Sequence, residues 1–282
     1  MNIDFQNIEN LFNMFDGEND LDIDDLQWIE PVGIALLKLY KTAYPNIRIL
    51  LGGNSDSVGY IKTLLNPQSP KNGSYIPLEH FGEQVGSIDT IAGQVTEKIV
   101  ANAHKLSFDD KKDLADYLKY LMSEMMDNVV SHSQSSIGGL VTAQYYPTKD
   151  KVQVVIVDNG VGFLKTLLSK YRLQNEQEAI LKAMEKAVSG SNAFAPYTNV
   201  PKHAGLGLYF LSQIIRHTNG KLLIVSNDTV YRLPQNSFVT MQTAFSGTMI
   251  AFELYNSELG YEFGQLLNII RSEGEEEEED IF

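Results

Sequence analysis

Residues 108–132 carry an amphipathic helical pattern, and this pattern limits the possible folds more than any other feature of the sequence. Its apolar residues recur at steps of three and four, the spacing that places side chains on one face of a helix: Leu114, Leu118, Leu121, Met125 and Val129. Along the border of that face, Glu124, Asn128 and His132 follow one another at steps of four, and Asp127 falls on the more exposed side. The half-buried row is a candidate site, although polar pairs at this spacing also occur on solvated helix edges.

The segments around this helix follow an order that predicts an α+β fold. Helices are predicted at 88–104 and 206–218, and strands at 138–146, 151–157, 221–226, 237–244 and 247–254. Helices combined with a late, mostly antiparallel sheet are typical of α+β layers. Upstream, residues 21–65 predict a compact α/β unit, with helices at 32–40 and 57–65 around the strand NIRILLGG. The following NPQSPKNGSYIP has the Pro, Gly, Ser and Asn content of a linker.

Charge and composition exclude several classes of function. The net charge is −14, with nine acids in residues 1–30 and seven more between Glu273 and Asp280, and such acidic ends argue against nucleic-acid binding. The absence of Cys excludes disulfides and thiolate metal sites. The first residues lack signal-peptide features and no run of 18 apolar residues occurs, so we expect a cytoplasmic protein without membrane contact. The tail EGEEEEEDIF is expected to be disordered and solubilising, with a specific partner-binding segment as the alternative.

The stretch VQVVIVDNGVGF has the chemistry of a base-binding site. An apolar strand over residues 152–157 ends in Asp158, and Gly160 and Gly162 then bracket Val161. Asn-Gly after a strand also signals a hairpin, but the following FLKTLLSKYRL has a helical pattern instead of a return strand. A carboxylate beside two glycines, which let a ligand approach the backbone closely, suits recognition of a planar base. Asp158 is therefore a candidate acceptor for a hydrogen bond from an exocyclic amine.

The stretch HAGLGLYFLSQIIRHTNG indicates a phosphate site. Gly205 and Gly207 stand where a helix begins, and a glycine-rich helix start offers free backbone N–H groups and the positive end of the helix dipole. The spacing matches neither the P-loop nor the dinucleotide-binding fingerprint. Lys202 and His203 precede the glycines and are candidates for contact with a γ-phosphate, or else solvated loop residues. Further on, FSGTMIAFEL opens a terminal strand with Gly247-Thr248, which by itself indicates little.

Taken in order, these four stretches resemble the ATP-binding fold of the GHKL superfamily, which includes gyrase, the Hsp90 chaperone, histidine kinases and the mismatch-repair protein MutL. The resemblance covers roughly residues 90–256. It implies a Bergerat-type α/β sandwich ATPase domain that uses ATP and Mg²⁺. The roles that it implies are a general base at Glu124, a Mg²⁺ ligand at Asn128, a pocket wall at His132, an adenine reader at Asp158 helped through water by Thr248, base-pocket glycines at Gly160 and Gly162, and a phosphate cap at Gly205, Leu206 and Gly207.

Within the superfamily, the chain is most similar to anti-sigma-factor serine kinases and small bacterial GHKL proteins. A histidine-kinase phosphoacceptor needs a His followed by an acid, whereas His80 and His104 are followed by Phe and Lys. Between the motifs, residues 163–204 have the length of a lid, and Ser189-Gly190-Ser191 loosely resembles a lid turn of some bacterial members. A metal hydrolase is a weaker alternative for the opening row, because it contains a single His and zinc hydrolases need two or three ligands.

The N-terminal unit resembles a STAS domain, the fold of anti-sigma-factor antagonists. In that family a serine in the segment before a helix is phosphorylated, but here the matching residues 30–33 read EPVG and carry no hydroxyl. The unit is then expected to be a docking or structural module, since Ser55 and Ser57 read more simply as helix N-caps. An unrelated small α/β domain remains the alternative.

The resulting layout is a small STAS-like α/β domain at 1–66, a linker at 67–87, the GHKL ATP-binding domain at 88–258 and a C-terminal segment with the disordered acidic tail at 259–282. We expect a protein that binds Mg·ATP and hydrolyses it or transfers phosphate to a protein partner, of STAS-like or sigma-regulatory type, in bacterial regulation or signalling. The alternative is a nucleotide-gated interaction switch with negligible catalysis, in which ATP orders the 163–204 lid. Whether the protein forms a homodimer is left open by the sequence.

Overall fold

The computed structural model describes residues 1–52, 55–66, 74–82, 87–186, 188 and 206–279. Its helices are α1 (Glu9–Phe12), α2 (Pro31–Ala43), α3 (Ser55–Leu65), α4 (Ile88–Asn102), α5 (Phe108–His132), α6 (Gly162–Leu167), α7 (Glu176–Ala183), α8 (Gly207–His217) and α9 (Phe263–Glu279). Its strands are β1 (Asn2–Ile3), β2 (Leu21–Asp22), β3 (Trp28–Ile29), β4 (Ile49–Leu50), β5 (Tyr75–Phe81), β6 (Gly139–Tyr146), β7 (Lys151–Asp158), β8 (Lys221–Ser226), β9 (Thr229–Leu233), β10 (Ser237–Thr240) and β11 (Thr248–Tyr255). The predicted combination of helices with an antiparallel sheet is confirmed.

A seven-stranded antiparallel sheet in the order β10-β9-β8-β11-β7-β6-β5 forms the centre of the fold. Its inner strand β7, between β11 and β6, is buried along its whole length. Because successive side chains of a strand point to opposite faces, Val154 and Ile156 join one apolar core and Val155 and Val157 join another. The sheet is therefore covered on both faces, and the fold has three layers.

Helices α4, α5, α8 and α9 cover the first face. Ser107 caps α5 through a capping box with Asp110, which fixes the start of the helix. The predicted apolar stripe of α5 is confirmed, because Leu114, Leu118 and Met125 are fully buried in this core. Helix α5 contacts β6 and β7, while α8 lies beside α5 and α9 beside α8. This layer places the border row of α5 at the end of β7 that carries Asp158.

The N-terminal residues cover the second face. Helix α2 packs on β6 and β7, and its apolar side chains share a core with the strands. The only strand pairs within this layer are the two-residue parallel pairs β1–β3 and β2–β4, among the residues that the structure describes. The described residues of 1–66 therefore form a layer on the central sheet, and their resemblance to a STAS domain stays a prediction.

A buried polar cluster joins this layer to the sheet. The Glu30 carboxylate, at the N-cap of α2, accepts hydrogen bonds from Gln153 Nε2 (2.8 Å) and from the Phe5 backbone N–H (3.2 Å). Lys151 Nζ lies 3.6 Å from Glu30 and forms a closer ion pair with Glu253. Burial raises the pKa of Glu253, but Lys151 and Gln153 outweigh burial and hold this pKa below its ordinary value.

Part of the predicted linker at 67–87 is wrong, because Tyr75–Phe81 form the edge strand β5. Pro77 contributed to the linker prediction, but it lies where the register between β5 and β6 shifts, between Ile76 and Glu79. A proline is tolerated at such an irregularity on an edge strand, since its missing N–H leaves no ladder bond unmade. Residues 67–73 and 83–86 lie outside the described residues.

Three smaller predictions also change. The tail was expected to be disordered from Glu273, but the backbone of α9 is helical as far as Glu279. Ser57 was expected to cap a helix, whereas it lies inside α3 with its buried hydroxyl donating to the Gln27 carbonyl at 2.5 Å. The strand expected at 237–244 ends at Thr240, and β9 was not predicted.

Candidate active site

A cavity of about 410 Å³ opens between α5, α8 and the adjoining ends of β7 and β11. Most of the residues predicted for the site line it: Glu124, Asn128, His132, Asp158, Gly162, Leu206, Gly207 and Thr248. Gly160 lies next to Asp158 but is not part of the cavity wall. Lys202, His203 and Gly205 lie outside the described residues, as does the turn at 189–191. The structure thus brings together motifs that are more than 100 residues apart in the chain.

Asp158 lines the cavity on its β7 side. It is the last residue of β7, is 2% exposed, and lies opposite Thr248 in the register of β7 and β11. Its Oδ1 accepts a hydrogen bond from the Gly160 backbone N–H at 2.7 Å. Burial raises the pKa of Asp158 to about 7, although the bonds from Gly160 and Thr248 act in the opposite direction. Because the surroundings of this carboxyl are buried and of low dielectric, its hydrogen bond with a donor such as a base amine is strong.

The two glycines after Asp158 are required by packing within the protein. A Cβ on Gly160 would lie 2.1 Å from the Ser133 carbonyl oxygen, which also accepts the Val161 backbone N–H at 2.9 Å. Gly162 has a φ of +80°, and a Cβ there would lie 2.3 Å from Asn227 Nδ2. The sequence prediction attributed both glycines to ligand approach. That role stays a prediction, and within the protein the turn is closely packed on the end of α5 and on the β8–β9 turn.

A buried carboxylate behind this turn was missed by the sequence analysis. Glu176, at the start of α7, accepts hydrogen bonds from the Ser226 hydroxyl (2.6 Å), the Asn227 side-chain amide (2.6 Å) and the Leu164 backbone N–H (3.1 Å). The Asn227 side-chain oxygen accepts the Gly247 N–H at 3.2 Å. Glu176 thereby ties the Gly162 turn to the Gly247 turn, which flank the buried end of the cavity. Nothing local in the sequence marks Glu176 for this position.

Glu124 and Gly207 meet where α5 and α8 line the cavity. A Cβ built on Gly207 would lie 2.6 Å from Glu124 Oε2, so the carboxylate packs directly on the first residue of α8. Glu124, Asn128 and His132 are all half-buried, as the border row predicts. Asp127 was expected on the more exposed side, but it is half-buried and lines the cavity too. The helix start and three oxygen-bearing side chains of α5 therefore face the same space.

Three further residues on this side of the cavity were not predicted. Tyr120 and Phe210 line the cavity from α5 and α8, and Arg271 reaches it from α9. The Arg271 guanidinium lies 5.9 Å from the centroid of the Phe210 ring. Burial raises the pKa of Tyr120, the Glu124 carboxylate raises it further, and Arg271 lowers it. The Glu124 carboxylate of α5 and the Arg271 guanidinium of α9 are thus both close enough to the Tyr120 phenol to shift its pKa.

All of the cavity-lining residues except Arg271 fall within one family match. Residues 113–254, half of the chain, match the family described as histidine kinase-, DNA gyrase B-, and HSP90-like ATPases. The chain belongs to this ATPase family. The GHKL resemblance predicted from the four motifs is confirmed, and the family accounts for nucleotide binding and for an ATPase or kinase activity. Arg271 and the N-terminal layer lie outside the matched residues.

Two relatives of this ATPase are serine-protein kinases named RsbW. The one from Bacillus mycoides is 26% identical over 133 residues, which cover 45% of this chain and 69% of that kinase. The one from Bacillus cereus is 24% identical over 132 residues with the same coverage. The similarity is weak but agrees with the predicted branch of the superfamily. None of the helices in the described part of this ATPase has the length and apolar character needed to span a bilayer.

Proposed function

We propose that this protein binds Mg·ATP in the cavity and transfers the γ-phosphate to water or to a hydroxyl of a protein partner. One observation carries the proposal: the cavity joins a buried carboxyl at Asp158 to a helix start at Gly207 that lies against the Glu124 carboxylate. A nucleotide presents a donor-bearing base at one end and anionic phosphates at the other. The two sides of the cavity have the chemistry that each part requires.

On the β7 side of the cavity, Asp158 accepts a hydrogen bond from the exocyclic amine of adenine in this proposal. Thr248, opposite Asp158 on the neighbouring strand, supports this contact through its hydroxyl and a bridging water. The amine favours the ionised carboxylate, since a donor bonded to the charged form lowers the pKa of an acid. Bases without a donor at this position are expected to bind more weakly, because the buried carboxylate would be left unpaired.

On the α8 side of the cavity, the backbone N–H groups of Leu206 and Gly207 and the dipole of α8 attract the phosphates. Asn128 offers the amide oxygen that a hard cation requires, and Glu124 and Asp127 place carboxylate oxygens in the same space. This donor set fits Mg²⁺, with Asn128 as its protein ligand. A bound Mg²⁺ would neutralise charge on the phosphate oxygens.

Glu124 is the residue proposed to take a proton. As the oxygen of the attacking hydroxyl forms a bond to the γ-phosphorus, the bond from that phosphorus to the bridging oxygen breaks and ADP leaves. The proton of the hydroxyl passes to the Glu124 carboxylate, which acts as general base. His132, half-buried beside the site, contributes to the pocket wall in this scheme.

The acceptor is proposed to be a protein hydroxyl in bacterial regulation, because the two relatives are named serine-protein kinases. The sequence predicts a partner of STAS-like or sigma-regulatory type. Within the chain, the segment that matches the STAS phosphoacceptor segment is residues 30–33, EPVG, which carries no hydroxyl. The acceptor is therefore expected on another protein.

The test uses ATP labelled at the γ-phosphate, incubated with the protein and candidate partner proteins. Free labelled phosphate would indicate hydrolysis, and labelled partner would indicate transfer. Glu124→Gln should bind ATP but lose at least about 100-fold in turnover. Asp116→Asn removes an equivalent charge from an exposed position of the same helix, so it should behave like the parent. Failure of the parent to bind ATP at millimolar concentration would refute the proposal, and binding without either product would favour the nucleotide-gated switch.

A further inference from the structure

The charge of the cavity wall does not match an anionic ligand unless a cation takes part. Among the described residues that line the cavity, three are acids (Glu124, Asp127 and Asp158) and one is a permanent cation, Arg271. Phosphate groups bind poorly beside carboxylates unless positive groups offset the repulsion. Arg271 is therefore the side chain of the described wall best suited to bind the phosphates. It belongs to α9, beyond the last residue of the family match.

Helix α9 holds Arg271 in a fixed position. Leu266 and Ile270 are fully buried in the core that the helices share with the sheet. On the other side of Arg271, the Glu273 carboxylate lies 3.1 Å from His217 Nε2 at the end of α8. At the start of the segment, the Tyr117 hydroxyl donates to the Tyr261 carbonyl at 3.0 Å. Arg271 thus projects from a helix that is anchored before and after it.

The guanidinium is also available for a ligand. Among the side chains that the structure describes, which on α9 end at Glu273, it makes no ion pair with a carboxylate, and its contact is with the face of Phe210. Phe210 lies on the first turn of α8, the helix whose start faces the phosphates. Stacking on an aromatic ring leaves the in-plane N–H donors of an arginine free, and these donors match two oxygens of a phosphate.

We propose that Arg271 binds the phosphate tail of the nucleotide, so that the C-terminal helix completes a site that the family domain leaves open. This inference rests on the ATP binding proposed above and adds a binding residue to it. It assigns α9 a function in ligand binding besides its packing on α5 and α8. The occupant of the Arg271 side of the cavity is then the triphosphate, and not the base.

The test compares the affinities of the full chain for ATP, ADP and adenosine by calorimetric titration, with adenosine measured by ligand-detected NMR. Arg271→Ala should weaken ATP binding about tenfold or more, since a hydrogen-bonded charge is lost, and should leave adenosine binding within about twofold. Arg271→Lys should recover part of the ATP affinity. Arg216→Ala is the matched control, because Arg216 is exposed on α8 and does not line the cavity. Asp158→Asn should weaken all three ligands.

Two results would overturn the inference. The first is an Arg271→Ala protein that binds ATP as the parent does. The second is an equal loss for ATP and adenosine, which would mean that Arg271 supports the pocket through Phe210 and does not bind phosphate. In both cases the parent and Arg216→Ala would still bind ATP, so the proposed function would stand. A parent that binds no nucleotide would refute the proposed function and this inference together.

Discussion

The Glu124 carboxylate lies against Gly207, with Oε2 2.6 Å from the position that a Cβ on the glycine would occupy. This contact joins the border row of α5 to the first residue of α8. It means that the proposed general base and the proposed phosphate site share one small space. It also means that a glycine is required at position 207 by the close packing of its neighbours. Its backbone conformation does not require one, since that backbone is helical and needs no unusual φ.

Gly207→Ala should reduce ATP affinity and turnover at least about tenfold, because the new methyl group displaces Glu124 and contacts Met125 at 3.3 Å. Gly93→Ala in α4 is the control, since nothing lies within 4 Å of a Cβ there. That change should leave activity unaltered and raise the free energy of unfolding by about 0.5–1 kcal/mol. Steady-state kinetics and urea unfolding test both variants. Equal activity of the two variants would contradict the assigned contact.

Asp158→Asn should change the pH dependence of stability. Burial raises the pKa of the folded Asp158 carboxyl to about 7, above an unfolded value near 3.8. The folded state therefore binds the extra proton between those values, and the free energy of unfolding falls as pH rises through about 4 to 7. The Asn variant has no carboxyl to titrate, so its free energy of unfolding does not fall in this way. The free energy of unfolding of the variant minus that of the parent should therefore be larger at pH 8 than at pH 4, by on the order of 3 kcal/mol. Urea unfolding at the two pH values measures the difference.

The same variant should lose the stabilisation that Mg·ATP gives the parent, because the adenine contact is weakened. In the parent, ATP binding near pH 7 should release protons, since the amine favours the ionised carboxylate. Calorimetry in buffers of different ionisation enthalpy measures that release. A pH-independent difference in unfolding between parent and variant would show that Asp158 does not titrate near neutrality.

Glu176→Gln should weaken nucleotide binding while the turnover number changes little. The carboxylate accepts from Ser226 and Asn227 at 2.6 Å each, and an amide replaces one acceptor oxygen with a donor that faces the Asn227 side-chain amide or the Ser226 hydroxyl. The two turns that flank Asp158 would then separate, with a loss of about 1–3 kcal/mol in stability. Glu178→Gln, on the same helix and away from these turns, is the matched control. An unchanged KM for ATP would remove Glu176 from the binding site.

Lys151→Met should destabilise the protein by about 3–5 kcal/mol, because it leaves the buried carboxylates of Glu30 and Glu253 without their shared cation. Lys149→Met removes the same charge from an exposed position two residues earlier, and its effect should stay within about 0.5 kcal/mol. Urea denaturation at pH 7 measures both. If the two variants unfolded at the same urea concentration, the buried cluster would not join the N-terminal layer to the sheet.

Deletion of residues 1–66 should give an aggregating chain and not an independent ATPase domain. The deletion exposes the apolar second face of the sheet, which includes Leu140, Val155, Val157, Leu223, Val225, Met249 and Ala251. Deletion of residues 275–282 removes only the end of α9 and the tail, so that protein should remain soluble and folded. Gel filtration and cooperative unfolding test the two truncations. A monomeric, ATP-binding product of the first deletion would show that the N-terminal residues are a separate module.

Local sequence patterns were sufficient where a structure depends on periodicity and spacing. The stripe of α5 and the apolar run of β7 gave correct elements, because 3.6- and 2-residue periods report directly on buried faces. The order of the four motifs was enough to predict the family. The linker prediction failed at Pro77, since a proline inside a short strand is compatible with pairing only through a bulge that the sequence does not reveal.

The sequence by itself determined the ATPase fold and the residue types at both ends of its cavity. Only the tertiary structure decided that Glu176 ties the Gly162 turn to the Gly247 turn, that Arg271 lines the cavity, and that the described residues of 1–66 cover the second face of the sheet. The physical reason is that each of these contacts joins segments far apart in the chain. A periodic pattern records that a face is buried, but not which distant segment covers it.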